Sequence, residues 1–142
     1  MKILEAQSAV LTNVEVYTFL SDQEKQYKKQ DRKGPANLET LRKEVLQYFE
    51  APPGPLSQKP QPFDASAIPV FLTKLREYQI SKGEFIMLFN VRPASIAVLN
   101  TVIEDMEERF SEEQQEEILN IIAETLGHFP PAEENGEENG AE

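Results

Sequence analysis

The sequence predicts an all-α protein, and three observations carry that expectation. Capping boxes at Thr12–Glu15, Ser81–Glu84 and Ser111–Gln114 mark helix starts, each hydroxyl placed to accept from the amide three residues on. Apolar residues recur at three- and four-residue spacing through most of the chain. No segment shows the strand-like alternation that would compete. Five prolines between residues 51 and 63 divide the chain into an N-terminal arm (1–50), a Pro-rich linker (51–63), a compact helical bundle (64–128) and a tail (129–142) expected to be acidic and disordered.

In chain order, Met1, Ile3 and Leu4 form an apolar group too short for a sheet of its own, though able to add an edge strand to another protein's sheet. Leu11 and Val16 stand at the two positions of a hydrophobic staple around the Thr12 cap. The helix that follows has an apolar face through Val16, Phe19, Leu20 and Tyr27. It ends in Lys25, Lys28, Lys29, Arg32 and Lys33, cations that suit a helix C-terminus; with Asp31 among them and no interleaved aromatic beyond Tyr27 they read as its solvated end, the alternative being a contact with nucleic acid. Gly34 and Pro35 break it. Asn37 is placed to cap a second helix whose inner face is Leu38, Leu41, Val45 and Tyr48 or Phe49. The prolines then impose an extended, semi-stiff connector.

The bundle is expected to hold four helices. Asp64 or Ser66 opens the first, with Pro69 in its first turn and Leu72 and Leu75 facing inward. Ser81 opens the second, with Phe85, Leu88 and Phe89 on one face and Asn90 as the left-handed stop. Pro93 opens the third, whose stripe is Ile96, Leu99, Ile103, Met106 and Phe110. Ser111 opens the fourth, with Ile118, Ile121, Ile122, Thr125 and Leu126 buried and Gly127 as its terminating glycine.

A chain of 142 residues supports one core with an appended arm. It has no cysteine and a single histidine, His128, which removes disulfides and thiolate zinc sites and fits a reducing compartment. No apolar run is long enough to span a membrane, and the start is too short and polar for a signal peptide, so a nuclear or cytoplasmic protein is expected. The net charge is −11, of which the tail holds five glutamates, leaving −6 on the remainder. That overall balance lacks the basic face a duplex-binding protein needs and points to protein partners.

Three segments, LTNVEVYTFLSD (11–22), ISKGEFIMLFNVRP (80–93) and VIEDMEERFSEEQQEEIL (102–119), resemble in order and spacing the small stalk subunit of eukaryotic RNA polymerase III. That family is related to the fourth-largest RNA polymerase II subunit and is also called the calcitonin-gene-related-peptide receptor component. Gly83 departs from the small helix former, usually Ala, of family members, and residues 30–63 have no recognisable counterpart. The resemblance implies a helical bundle of the type found at the C-termini of helicases and RNase D. It also implies an N-terminal region held by a larger, oligonucleotide-binding-fold stalk subunit in a heterodimer. The residues expected at that contact are Ile3, Leu4, Leu11, Val14, Val16, Phe19 and Leu20, because a lone arm has little of its own to cover such a face.

No nucleophile elbow, phosphate loop or zinc-protease motif occurs. The acids Glu104, Asp105, Glu107, Glu108, Glu112, Glu113, Glu116 and Glu117 read as a solvated helix face, with Arg109 forming surface pairs among them. Glu107, Glu108, Glu112 and Glu116 are the candidate contacts for basic initiation-factor surfaces. The function expected from the resemblance is that of a non-catalytic, cofactor-free and metal-free subunit of nuclear RNA polymerase III. It would help recruit initiation factors for tRNA, 5S rRNA and other small RNA genes, touching nucleic acid at most weakly and no membrane. The alternatives are an independent single-strand nucleic-acid-binding module and an intracellular receptor-associated adaptor.

Overall fold

The computed structural model describes residues 2–129. Among the described residues seven α-helices follow one another: α1 (Asn13–Lys29), α2 (Ala36–Glu50), α3 (Ala67–Leu75), α4 (Lys82–Val91), α5 (Ile96–Val102), α6 (Met106–Arg109) and α7 (Glu112–Leu126), with 3-10 turns at Pro55–Ser57 and Arg76–Tyr78. Among the described residues there is no strand, and residues 2–11 are irregular, so the all-α expectation holds. All three capping boxes form, each with both of its reciprocal hydrogen bonds. The acidic tail expected over 129–142 lies, apart from Phe129, outside the described residues.

The core is built where α3, α4, α5 and α7 meet. Phe71, Leu88, Leu99, Ile118 and Leu126 are fully buried. The rings of Phe71, Phe85 and Phe89 pack together at centroid distances of 5.3 and 5.7 Å from Phe71. Aromatic pairs at such offsets add stabilisation beyond their buried area.

Several expectations are corrected. The helix expected from Pro93 through Phe110 is two, because the chain leaves helical geometry at Ile103 and turns through a left-handed Asp105 (φ 50°). Thr101, Val102 and Ile103 are β-branched, and Asp tolerates the left-handed region, so a break there is cheap. Leu99, Ile103, Met106 and Phe110 nonetheless all remain buried, whereas Ile96 is exposed. The left-handed stop of α4 is Arg92, not Asn90, and Asn90 instead uses its Oδ1 to accept from the Asn13 amide at 2.8 Å. In α3 the inward pair is Phe71 and Leu75, with Leu72 exposed. In α2 the buried residues are Arg42 and Leu46, while Leu38, Leu41 and Tyr48 face solvent. The neighbouring stripe wins because Arg42 can lie inside, its guanidinium 5.2 Å over the Tyr27 ring.

The Pro-rich stretch is likewise not a free connector, since Leu56 and Phe63 are buried in the core. Arg92 holds it there. This side chain is 1% exposed and donates from Nη1 to the Pro55 carbonyl (3.0 Å) and from Nη2 to the carbonyls of Leu126 (2.7 Å) and Gly127 (3.2 Å). Its guanidinium lies 5.0 Å from the Phe63 ring centroid and 5.3 Å from that of Phe129. Among the described residues no carboxylate pairs with it. The cation therefore answers the negative end of α7, where orphan carbonyls gather. Burial lowers its pKa to about 10, which leaves it charged at neutral pH.

Arg109 does not pair along the helix surface. It reaches across to Glu84, with Nη1 2.5 Å from Oε1, and also donates to the Glu104 carbonyl (2.9 Å). The Arg109 bond, together with donors from Ser81 and Glu104, holds the Glu84 carboxyl at about 2, below its ordinary 4.5. A carboxylate depressed in this way adds stability above its ordinary pKa, and that contribution is lost as pH falls towards the folded value. Urea titrations between about pH 5 and 2 should therefore show wild type losing on the order of 2 kcal/mol more than Arg109→Ala over that window. Identical pH slopes for the two would remove the pair from the acid response.

Candidate partner interface

The arm is attached to the bundle at one end and open along the rest. Val14, 2% exposed, is the anchor, and it sits in the core beside Tyr17. Tyr17 packs edge-on against Phe49 at 6.3 Å and donates to Glu50 Oε1 at 2.8 Å, which raises the phenol's pKa. The remaining expected contact residues divide by exposure. Ile3 (76%), Leu4 (88%), Leu11 (54%) and Phe19 (65%) are open to solvent, while Val16 and Leu20 are half-buried. Val14 is thus corrected from a partner contact to an internal one, because its face of α1 is the side that meets the bundle.

Sequence periodicity missed part of the exposed apolar surface. Leu41 (59%) and Tyr48 (77%) lie open on α2. Where α1 meets α4, a groove of about 600 Å³ opens between Asn13, Met87, Asn90, Val91, Val98 and Phe129. Met87 and Val98 are both partly exposed at its wall. The signal for the groove was present in the sequence as Met87 and Val98 falling off their helices' inward stripes. Met87, Val91 and Val98 meet at this groove, and open apolar side chains that cluster mark interaction surfaces, whereas those scattered singly are ordinary.

A profile of the RNA polymerase Rpb4 family matches residues 10–126. The chain belongs to the RNA polymerase Rpb4 family. It is 31% identical over 137 residues to a Schizosaccharomyces pombe protein named DNA-directed RNA polymerase III subunit rpc9, covering 92% of this chain and all of that one. It is 25% identical over 158 residues to the Saccharomyces cerevisiae DNA-directed RNA polymerase III subunit RPC9, covering 87% of this chain and 98% of the relative. The Rpb4 match runs from the α1 cap to the end of α7, so it includes the Pro-rich stretch that showed no recognisable counterpart on its own.

The acidic candidates of this Rpb4-family chain are all exposed. Glu107 and Glu108 lie in α6, while Glu112 and Glu116 stand one turn apart on α7. One other acid of the predicted cluster is engaged within the chain: Glu117 accepts from the Tyr78 hydroxyl at 2.7 Å, which pushes that phenol up to about 12. Among the described residues no group of acids, His or Cys is arranged to hold a metal ion, and no helix is long and apolar enough to cross a membrane.

Proposed function

We propose that this chain is the small, non-catalytic stalk subunit of a nuclear RNA polymerase III and pairs with the larger oligonucleotide-binding-fold stalk subunit. The observation that carries the reading is end-to-end similarity to two proteins that are both named as subunits of that polymerase. The contact is assigned to Ile3, Leu4, Leu11 and Phe19, apolar and open on an arm anchored through Val14. Co-expression with the larger stalk subunit tests the pairing: a complex that survives gel filtration is expected, and two separate species would refute it.

The bundle offers Glu107, Glu108, Glu112 and Glu116 to a basic surface of an initiation factor. Charge complementarity of this kind acts mainly on association rate and salt dependence. Reversing Glu107, Glu108 and Glu112 should shift stability by no more than about 1 kcal/mol, because exposed charges contribute little to folding. The same variant should bind the factor more weakly and with a flatter salt dependence, as measured by titration at two salt concentrations. Unaltered factor binding would reduce those carboxylates to solubilising charge.

A further inference from the structure

The overall charge of −11 conceals a local reversal. Residues 25–43 carry seven of the chain's 14 lysines and arginines against only Asp31 and Glu39. Folding brings the two halves of this set together: α2 returns antiparallel to α1, which places Arg42 over Tyr27 and Lys43 beside Lys28, Arg32 and Lys33 around a groove of about 370 Å³, where these five cations outnumber the acids Glu24, Asp31 and Glu39 that also line it. This tip lies at the far end of α1, about 25 Å from the Asn13 contact with α4.

The helix dipole of α1 accounts for Lys28 and Lys29 in its last turn. It does not account for Arg32 and Lys33, which lie beyond the helix, or for Lys43 midway along α2. Lys25 and Lys28 are paired with Asp22 and Glu24, and Glu39 is occupied by the Gly34 amide at 2.7 Å. Among the described residues Lys29, Arg32, Lys33 and Lys43 have no ion-pair partner. No aliphatic side chain lines the groove. Its single aromatic, Tyr27, carries the Arg42 guanidinium over one face at 5.2 Å, where the cation takes the place a stacked base would need.

We propose that this tip is a contact for the phosphate backbone of a nucleic acid, made without base readout. Protein interfaces are depleted in lysine and rely on buried apolar anchors, and this groove is lysine-rich and has none. Phosphodiesters suit it because each neutralised phosphate releases condensed counterions, a gain that scattered carboxylates on a protein do not supply. The strongly acidic remainder of the chain confines the contact to the tip and keeps it weak.

The test uses the full chain alone, so its outcome is independent of stalk pairing. Anisotropy of a labelled single-stranded RNA of about 20 nucleotides should report binding that weakens about 50-fold between about 50 and 200 mM salt if four phosphates are contacted. A duplex DNA of the same length should also bind, with a steeper salt dependence. Lys29→Glu/Arg32→Glu/Lys33→Glu should bind at least tenfold more weakly at low salt, as should the corresponding Gln variant with unchanged circular dichroism, whereas Lys82→Glu should bind as wild type does. Wild-type affinity in both triple variants overturns the proposal. Displacement of the RNA by poly-glutamate at equal charge also overturns it, and assigns the tip to an acidic protein instead.

Discussion

Arg92→Ala should unfold in urea with a stability lowered by on the order of 3 kcal/mol or more, a large share of what a domain of this size possesses. The substitution strips hydrogen bonds from the Pro55, Leu126 and Gly127 carbonyls and removes the cation from between the Phe63 and Phe129 rings. The Leu126 carbonyl then stays buried without a donor, which is the costly case. Arg92→Lys should recover little, because one ammonium cannot span the strap and the end of α7 as a planar fork does. Arg92→Gly separates side chain from backbone. It relieves the left-handed conformation at this position (φ 52°), yet should still be destabilised because the clamp is gone. Wild-type stability in Arg92→Ala would mean that the strap is held by Leu56 and Phe63 alone.

Phe19→Asp should leave folding nearly untouched, within about 0.5 kcal/mol, because its ring is exposed and nothing in the core depends on it. Its effect belongs to assembly. A buried aromatic anchor at a protein interface contributes about 2 kcal/mol or more, so affinity for the larger stalk subunit should fall about 30-fold or further. Gel filtration of the co-expressed pair, with a binding titration, measures it. Val14→Asp should fail differently, with the arm detached from the bundle and stability lost, since Val14 is part of the core. Equal affinity of wild type and Phe19→Asp would place the contact on another face.

Local signals were legible and long-range ones were not. Ser81 with Glu84 announces a helix start because the bonds that make the cap lie within four residues. The inward face of α2 depends on what α1 offers it, and nothing within residues 36–50 shows that Tyr27 will accept an arginine. Periodicity survived the break at Asp105 because Leu99 and Met106 still turn inward on either side, which made two helices look like one. Arg92 gave no warning, since an arginine before a proline reads as an ordinary loop residue. Its importance comes from partners more than thirty residues away on both sides. The candidate contact residues were readable as apolar, but which of them stay open was not, because Val14 and Phe19 differ only in which side of α1 meets the bundle. Five cations of the basic tip were legible at the end of α1, and only folding adds Arg42 and Lys43 from α2 to them.

Hydrogen exchange of the chain alone and in complex with the larger stalk subunit tests the central claim most directly. Added protection should fall on the backbone around Leu4, Leu11 and Phe19, with α6 and the start of α7 unchanged, because that surface is proposed for another partner. Protection over Glu107–Glu116 with none in residues 3–20 would contradict the account, by placing the stalk partner on the acidic face of the bundle and leaving the exposed arm without a role in pairing.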